Sequence, residues 1–103
     1  SMKPTGRLIV FKLAKTNDRV ALNRFCRRFY GYLDHSHNHK YRYQRKGFLD
    51  DFPHLKLQSG VIVVRKQNTR AILSFLKEYN SEIFMRDIIL TKRDLKLLGM
   101  ESP

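Results

Sequence analysis

Two short apolar runs constrain this chain most. Residues 8–11 (LIVF) and 61–64 (VIVV) are each four consecutive hydrophobic residues, rich in β-branched types. Such runs are too short for a buried helix or a membrane span, and they suit strands covered on both faces. They are set apart by stretches of helical period. Leu22, Phe25, Cys26 and Phe29 follow i, i+3, i+4, i+7, and so do Ile72, Phe75, Leu76 and Tyr79. Each set makes one apolar helix stripe. Val20 and Ala21 extend the first stripe, and Gly31 is its stop signal, with Tyr32 and Leu33 able to carry the helix one turn further. Asn68 is placed to cap the second, which Asn80 and Ser81 end.

The remaining elements follow from weaker signals. Residues 7–13 form the first strand, and residues 14–18 a turn holding several candidate N-caps. Residues 34–40 (DHSHNHK) have no apolar period and read as a loop. Residues 41–46 (YRYQRK) alternate aromatic with polar, the mark of a strand with one wet face. Asp50, Asp51 and Pro53 argue for a turn, after which residues 54–57 pair briefly. Residues 61–66 and 82–90 are strands, the latter broken by a charged pair that suits a sheet edge. Residues 91–98 form a tail helix that Gly99 stops. The expected order is β-α-β-β-α-β plus a C-terminal helix: an α+β, ferredoxin-like sandwich. Its first and third strands would be central. The third needs cover on both faces, supplied by the tail helix or by a second subunit. Ser1 ahead of Met2 reads as a cloning remnant, so one domain is expected over residues 2–103.

Charge then points to a partner. Lys and Arg number 21 against 9 Asp and Glu, a formal net charge of +12 on 103 residues. Residues 1–49 hold 12 cations against Asp18 and Asp34, or +10, and the rest hold 9 against 7, or +2. Such a balance attracts polyanions through counterion release: nucleic acid first, an anionic membrane surface second. The expected contacts are Arg24, Arg27 and Arg28 on the first helix, at i, i+3, i+4. Beside them stand Lys40, Tyr41, Arg42, Tyr43, Arg45 and Lys46 on the second strand. Cations there would grip phosphate, and the tyrosines would stack on bases or enter a groove. Lys46-Gly47-Phe48 begins like a ribonucleoprotein signature, but Asp50 and Asp51 stand where that pattern needs apolar residues.

Other motifs carry other chemistries. His35, His37 and His39 present three imidazoles on one side of an extended segment, a ligand type for zinc-like ions. Their spacing resembles the His-hydrophobe-His pair of relaxases and related transposases, which use a helix tyrosine as nucleophile. Residues 29–34 (FYGYLD) resemble a piece of the LAGLIDADG homing-endonuclease motif, in which a helix with a tight glycine contact ends in a metal-binding carboxylate. That resemblance implies Gly31 as the packing glycine and Asp34 as a metal ligand for phosphodiester cleavage. The strand-turn-helix start resembles that of VapD-type nucleases, which place a metal-binding Asp at the end of the first strand. This chain has Lys12 there, and its first Asp is Asp18. Asp50 and Asp51 with His54 read as a turn.

Cys26, the single cysteine, lies on the first apolar stripe and reads as core. It excludes an internal disulfide framework and a multi-cysteine zinc site, and it suits a reducing cytoplasm. No secretory signal is visible. The leading expectation is a cytoplasmic, homodimeric nucleic-acid-binding protein without catalysis, cofactor or metal, favouring duplex DNA over RNA. The alternatives are a metal-dependent endonuclease or transposition-type protein using Asp34 and the three histidines, and a dimeric ligand-sensing regulatory module.

Overall fold

The fold is that of a computed structural model, which describes residues 3–14, 18–36 and 40–101. Contacts divide the chain into two compact units: Ser1–Ala14 with Phe52–Pro103, and Lys15–Asp51. The larger unit is an antiparallel four-stranded sheet built from β1 (Thr5–Lys12), β4 (His54–Gln58), β5 (Val61–Val64) and β6 (Glu82–Ile89), with α2 (Thr69–Lys77) and α3 (Lys92–Leu97). The smaller holds α1 (Arg19–Tyr30), the strands β2 (Gly31–Ser36) and β3 (Tyr41–Lys46), and a 3-10 turn, Phe48–Asp51. The protein is mixed α+β, with one four-stranded and one two-stranded sheet.

Strand order in the main sheet is β4-β5-β1-β6. The two apolar runs therefore occupy the centre, and β6, with Arg86 and Asp87, is an edge. The other edge corrects the sequence reading. Residues 41–46 do not join this sheet. They pair with residues 31–36, and His54–Gln58 takes the edge position. Element order is β-α-β-β-β-β-α-β-α, two strands more than the expected β-α-β-β-α-β scheme.

Alternation along β1 separates two faces. Ile9 and Phe11 face one way with their sheet neighbours Ile62 and Val64, and all four are buried. Ile72 and Leu76 of α2 are fully buried as well, while Leu73 and Thr69 lie beside Arg7 and Met85 of that same sheet face. On the opposite face Val63, Leu90 and Leu98 form a core, flanked by Leu8, Leu55, Ile88 and Leu95. The tail helix α3 thus supplies the cover expected over the second apolar run, β5. Thr91 and Asp94 close a capping box at its start, Thr91 Oγ1 accepting from Asp94 N–H at 3.1 Å and Asp94 Oδ2 from Thr91 N–H at 3.0 Å. Beyond α3's reach, Leu57 and Phe84 stay more than half exposed. Asn68 precedes α2 but makes no side-chain capping bond, because the chain enters α2 through a 3-10 turn, Lys66–Asn68.

Arg65 fastens α3 to the sheet. Its Nε donates to Leu98 O at 2.7 Å and its Nη2 to Gly99 O at 3.0 Å, satisfying carbonyls that the helix end leaves open. Gly99 turns there with φ +66. Arg65→Ala is expected to lower stability by about 2 kcal/mol, the loss of two charge-assisted bonds, read as a lower urea midpoint. Arg65→Lys should restore less than half, since an ammonium lacks the planar fork that reaches both carbonyls.

Candidate nucleic-acid interface

The small unit is built from α1 outward. Asp18 caps the helix, its Oδ1 accepting from Ala21 N–H at 2.7 Å. Of the expected stripe, Phe25 and Phe29 are buried, Cys26 is half-buried and Leu22 is exposed at its edge. Val20, expected to extend the stripe, is exposed too. The Phe29 ring stacks on Phe25 at 5.3 Å and on Phe48 at 6.5 Å, and Leu49 is fully buried. Arg27 and Arg28 stand in the last turn, where cations oppose the helix dipole.

Gly31 ends α1 and begins β2 with no linker. Its φ of +84 is a conformation that side-chain-bearing residues rarely adopt. A loop is expected over residues 34–40 because they lack an apolar period; instead residues 31–36 form a strand. A polar strand needs none when both faces meet water. All six residues of β3 are exposed.

Register places the expected residues on two faces of the β2–β3 ribbon. Tyr32 is opposite Arg45, Asp34 opposite Tyr43, and Ser36 opposite Tyr41. On that face the Arg27 guanidinium of α1 sits 4.5 Å from the Tyr32 ring centre, and Arg45 lies 5.6 Å from that of Tyr43. Tyr41 and Tyr43 stack at 6.4 Å, each about half exposed (48%). Asp34 Oδ2 accepts from Arg45 Nε at 3.2 Å, partly neutralising the row. The other face carries Arg42 across from His35, with Gln44 and Lys46. Gln44 turns back on the backbone, its Nε2 donating to Tyr32 O and Arg45 O at 3.3 Å.

The helix patch and the strand patch therefore join through Arg27 and Tyr32. Tyr32 was not singled out in the sequence. The signal for it is its position, one residue after a helix-stopping glycine. Arg24 and Arg28 are exposed on α1, and Lys40 is exposed just before β3. Arg42 and Lys46 project from the face opposite Arg45.

The structure also places the motif residues. Asp34 sits inside β2 as Arg45's ion-pair partner and not at a helix end, so the helical context of the LAGLIDADG-like stretch is missing. His35 lies on β2, and His37 and His39 fall outside the described residues. Among the described residues no three His, Cys, Asp or Glu side chains come together to hold a metal ion. Asp50 has a structural task, its Oδ2 accepting from Gly47 N–H at 2.8 Å.

Charge divides less unevenly by unit than by sequence. The small unit holds nine cations against four carboxylates, or +5, and the larger twelve against five, or +7. The reason is that Lys3, Arg7 and Lys12 belong to the larger unit, while Asp50 and Asp51 belong to the smaller. Among the described residues no helix is long and apolar enough to cross a membrane. No family model matches the chain, and neither a curated protein nor a solved structure is significantly similar to it.

Proposed function

We propose that this chain binds nucleic acid, duplex DNA in preference to RNA, by setting the β2–β3 ribbon into a groove. The observation that carries this is an exposed ribbon with cations on both faces, Arg45 on one and Arg42 and Lys46 on the other. A stacking platform for unpaired bases needs one cationic, aromatic face. A ribbon between two phosphate walls needs both, and the major groove admits a two-stranded ribbon. Arg27 adds a phosphate contact from α1. The larger unit acts as scaffold, and we read its β4-β5-β1-β6 strand order as that of a ferredoxin-like sheet. Two chains about a two-fold axis would offer two ribbons as one surface, and sedimentation equilibrium would give their mass.

The test is an anisotropy titration of a labelled duplex across about 50 to 200 mM salt. Four phosphate contacts, from Arg27, Arg42, Arg45 and Lys46, predict a log–log salt slope of about −3.6. Absent binding, or affinity indifferent to salt, overturns the proposal.

A further inference from the structure

A second cationic site lies wholly within the larger unit. A solvent-open cleft of about 520 Å³ runs between α2 and the sheet face bearing Arg7 and Met85. Lys66, Arg70 and Lys77 line it from the helix side, at i, i+4 and about three turns along, while Arg7 enters from β1. Asp87 holds two of these cations in place, Oδ1 at 3.1 Å from Arg7 Nε and Oδ2 at 3.2 Å from Lys66 Nζ. Four cations against one carboxylate leave a local balance of +3.

One donor in this cleft lacks an acceptor among the described residues. Thr69, in α2's first turn, is only 8% exposed, and its Oγ1 is withdrawn from solvent with no hydrogen-bond partner. Buried hydroxyls are nearly always bonded, and on a helix the usual partner is a carbonyl one turn back. Arg7 Nε is also buried, with Asp87 Oδ1 as its ion partner. No carboxylate occupies α2's first turn, and Asn68 supplies no capping bond, so that helix end has no negative partner of its own.

We infer that this cleft binds a small polyphosphate-bearing ligand, with two or three linked phosphoryl groups. The balance of +3 matches such an anion, and the volume falls in the range of small-molecule sites. Arg7, Lys66 and Arg70 would take the phosphoryl oxygens, with Thr69 Oγ1 donating to one of them. Leu73 and Met85 give the remainder of the ligand an apolar wall. This site is independent of the ribbon and goes beyond nucleic-acid binding.

Calorimetry of the full chain with sodium tripolyphosphate, pyrophosphate and orthophosphate, at matched ionic strength, tests it. One site per chain is expected, with orthophosphate at least about tenfold weaker than tripolyphosphate. Arg70 is exposed, so Arg70→Glu should keep the fold by circular dichroism yet weaken tripolyphosphate about tenfold or more. Thr69→Val should weaken it several-fold while leaving the melting temperature equal or higher, because an orphan hydroxyl is removed. A purely structural Thr69 would leave binding unchanged. Duplex affinity of Arg70→Glu should match the parent protein. Absence of heat overturns the inference, and so does equal binding by parent and both variants, which would assign the anion to the ribbon. Equal loss of duplex and tripolyphosphate binding in Arg70→Glu also overturns it, by making the cleft part of the nucleic-acid path.

Discussion

Gly47→Ala is expected to lower stability by about 3 kcal/mol or more, among the largest effects of any single substitution in the small unit. A methyl group at Gly47 would run into the Gly31 nitrogen and the Phe29 carbonyl oxygen. Both are backbone atoms, so no rotamer change relieves the overlap. A methyl at Gly31 would meet Arg45 O and lie 2.8 Å from Gly47 N, in a residue whose φ is already +84. The two glycines face one another where the helix becomes ribbon and the ribbon ends, and only hydrogen atoms fit between the chains. Gly6→Ala is the control. Its nearest new neighbour is the Leu90 side chain at 2.9 Å, which can shift, so the cost should stay below about 1.5 kcal/mol. Urea unfolding gives both values. The amide signals of β2 and β3 should move or broaden in Gly47→Ala alone. An unchanged midpoint with unmoved ribbon signals would show that the backbones do not cross there.

The second large effect separates a groove-reading ribbon from a base-stacking platform. Arg42→Ala combined with Lys46→Ala removes two cations from one face, and should flatten the duplex salt slope by about 1.8. At low salt the affinity should fall about a hundredfold, at a cost near 1.4 kcal/mol per contact. Tyr41→Ala with Tyr43→Ala should leave duplex affinity within about threefold, while a single strand loses about tenfold or more through lost stacking. All four side chains are exposed, so each variant should remain folded. Full duplex binding by the charge variant, with collapse of duplex binding in the tyrosine variant, would replace the groove by a platform.

Much of the larger unit was legible because its signals are local. Four-residue β-branched runs name the central strands, and helical spacing names α2, as it names α1 in the small unit. The charged Arg86-Asp87 pair names an edge, and Thr91 and Gly99 bracket the tail helix. The ribbon was only half legible. Residues 41–46 announce a strand with wet side chains, but alternation says nothing about which strand pairs with it. Their partner, residues 31–36, contains one exposed leucine and no apolar face, so periodicity is silent there. The assignment of residues 41–46 to the main sheet followed from that silence. Arg24, Arg27 and Arg28 were legible as a patch. Their link to the ribbon through Tyr32 was not, since it depends on Gly31 turning the chain directly back from the helix. The cationic cleft was invisible for a different reason: Arg7 and Lys66 are far apart in sequence and meet only because β1 lies beside β5 and β6.

That same pairing sets a schedule for synthesis. Thr5 pairs with Ile89 and Lys12 with Glu82, so β1, once made, waits for synthesis to reach Ile89 before its last partner arrives. The α1–ribbon segment closes from near neighbours and finishes earlier. In the interval residues 8–11 are a bare, aggregation-prone tetrad, bounded by Arg7 and Lys12. Those two cations act as gatekeepers, repelling a second nascent copy before the sheet exists to shelter the segment between them.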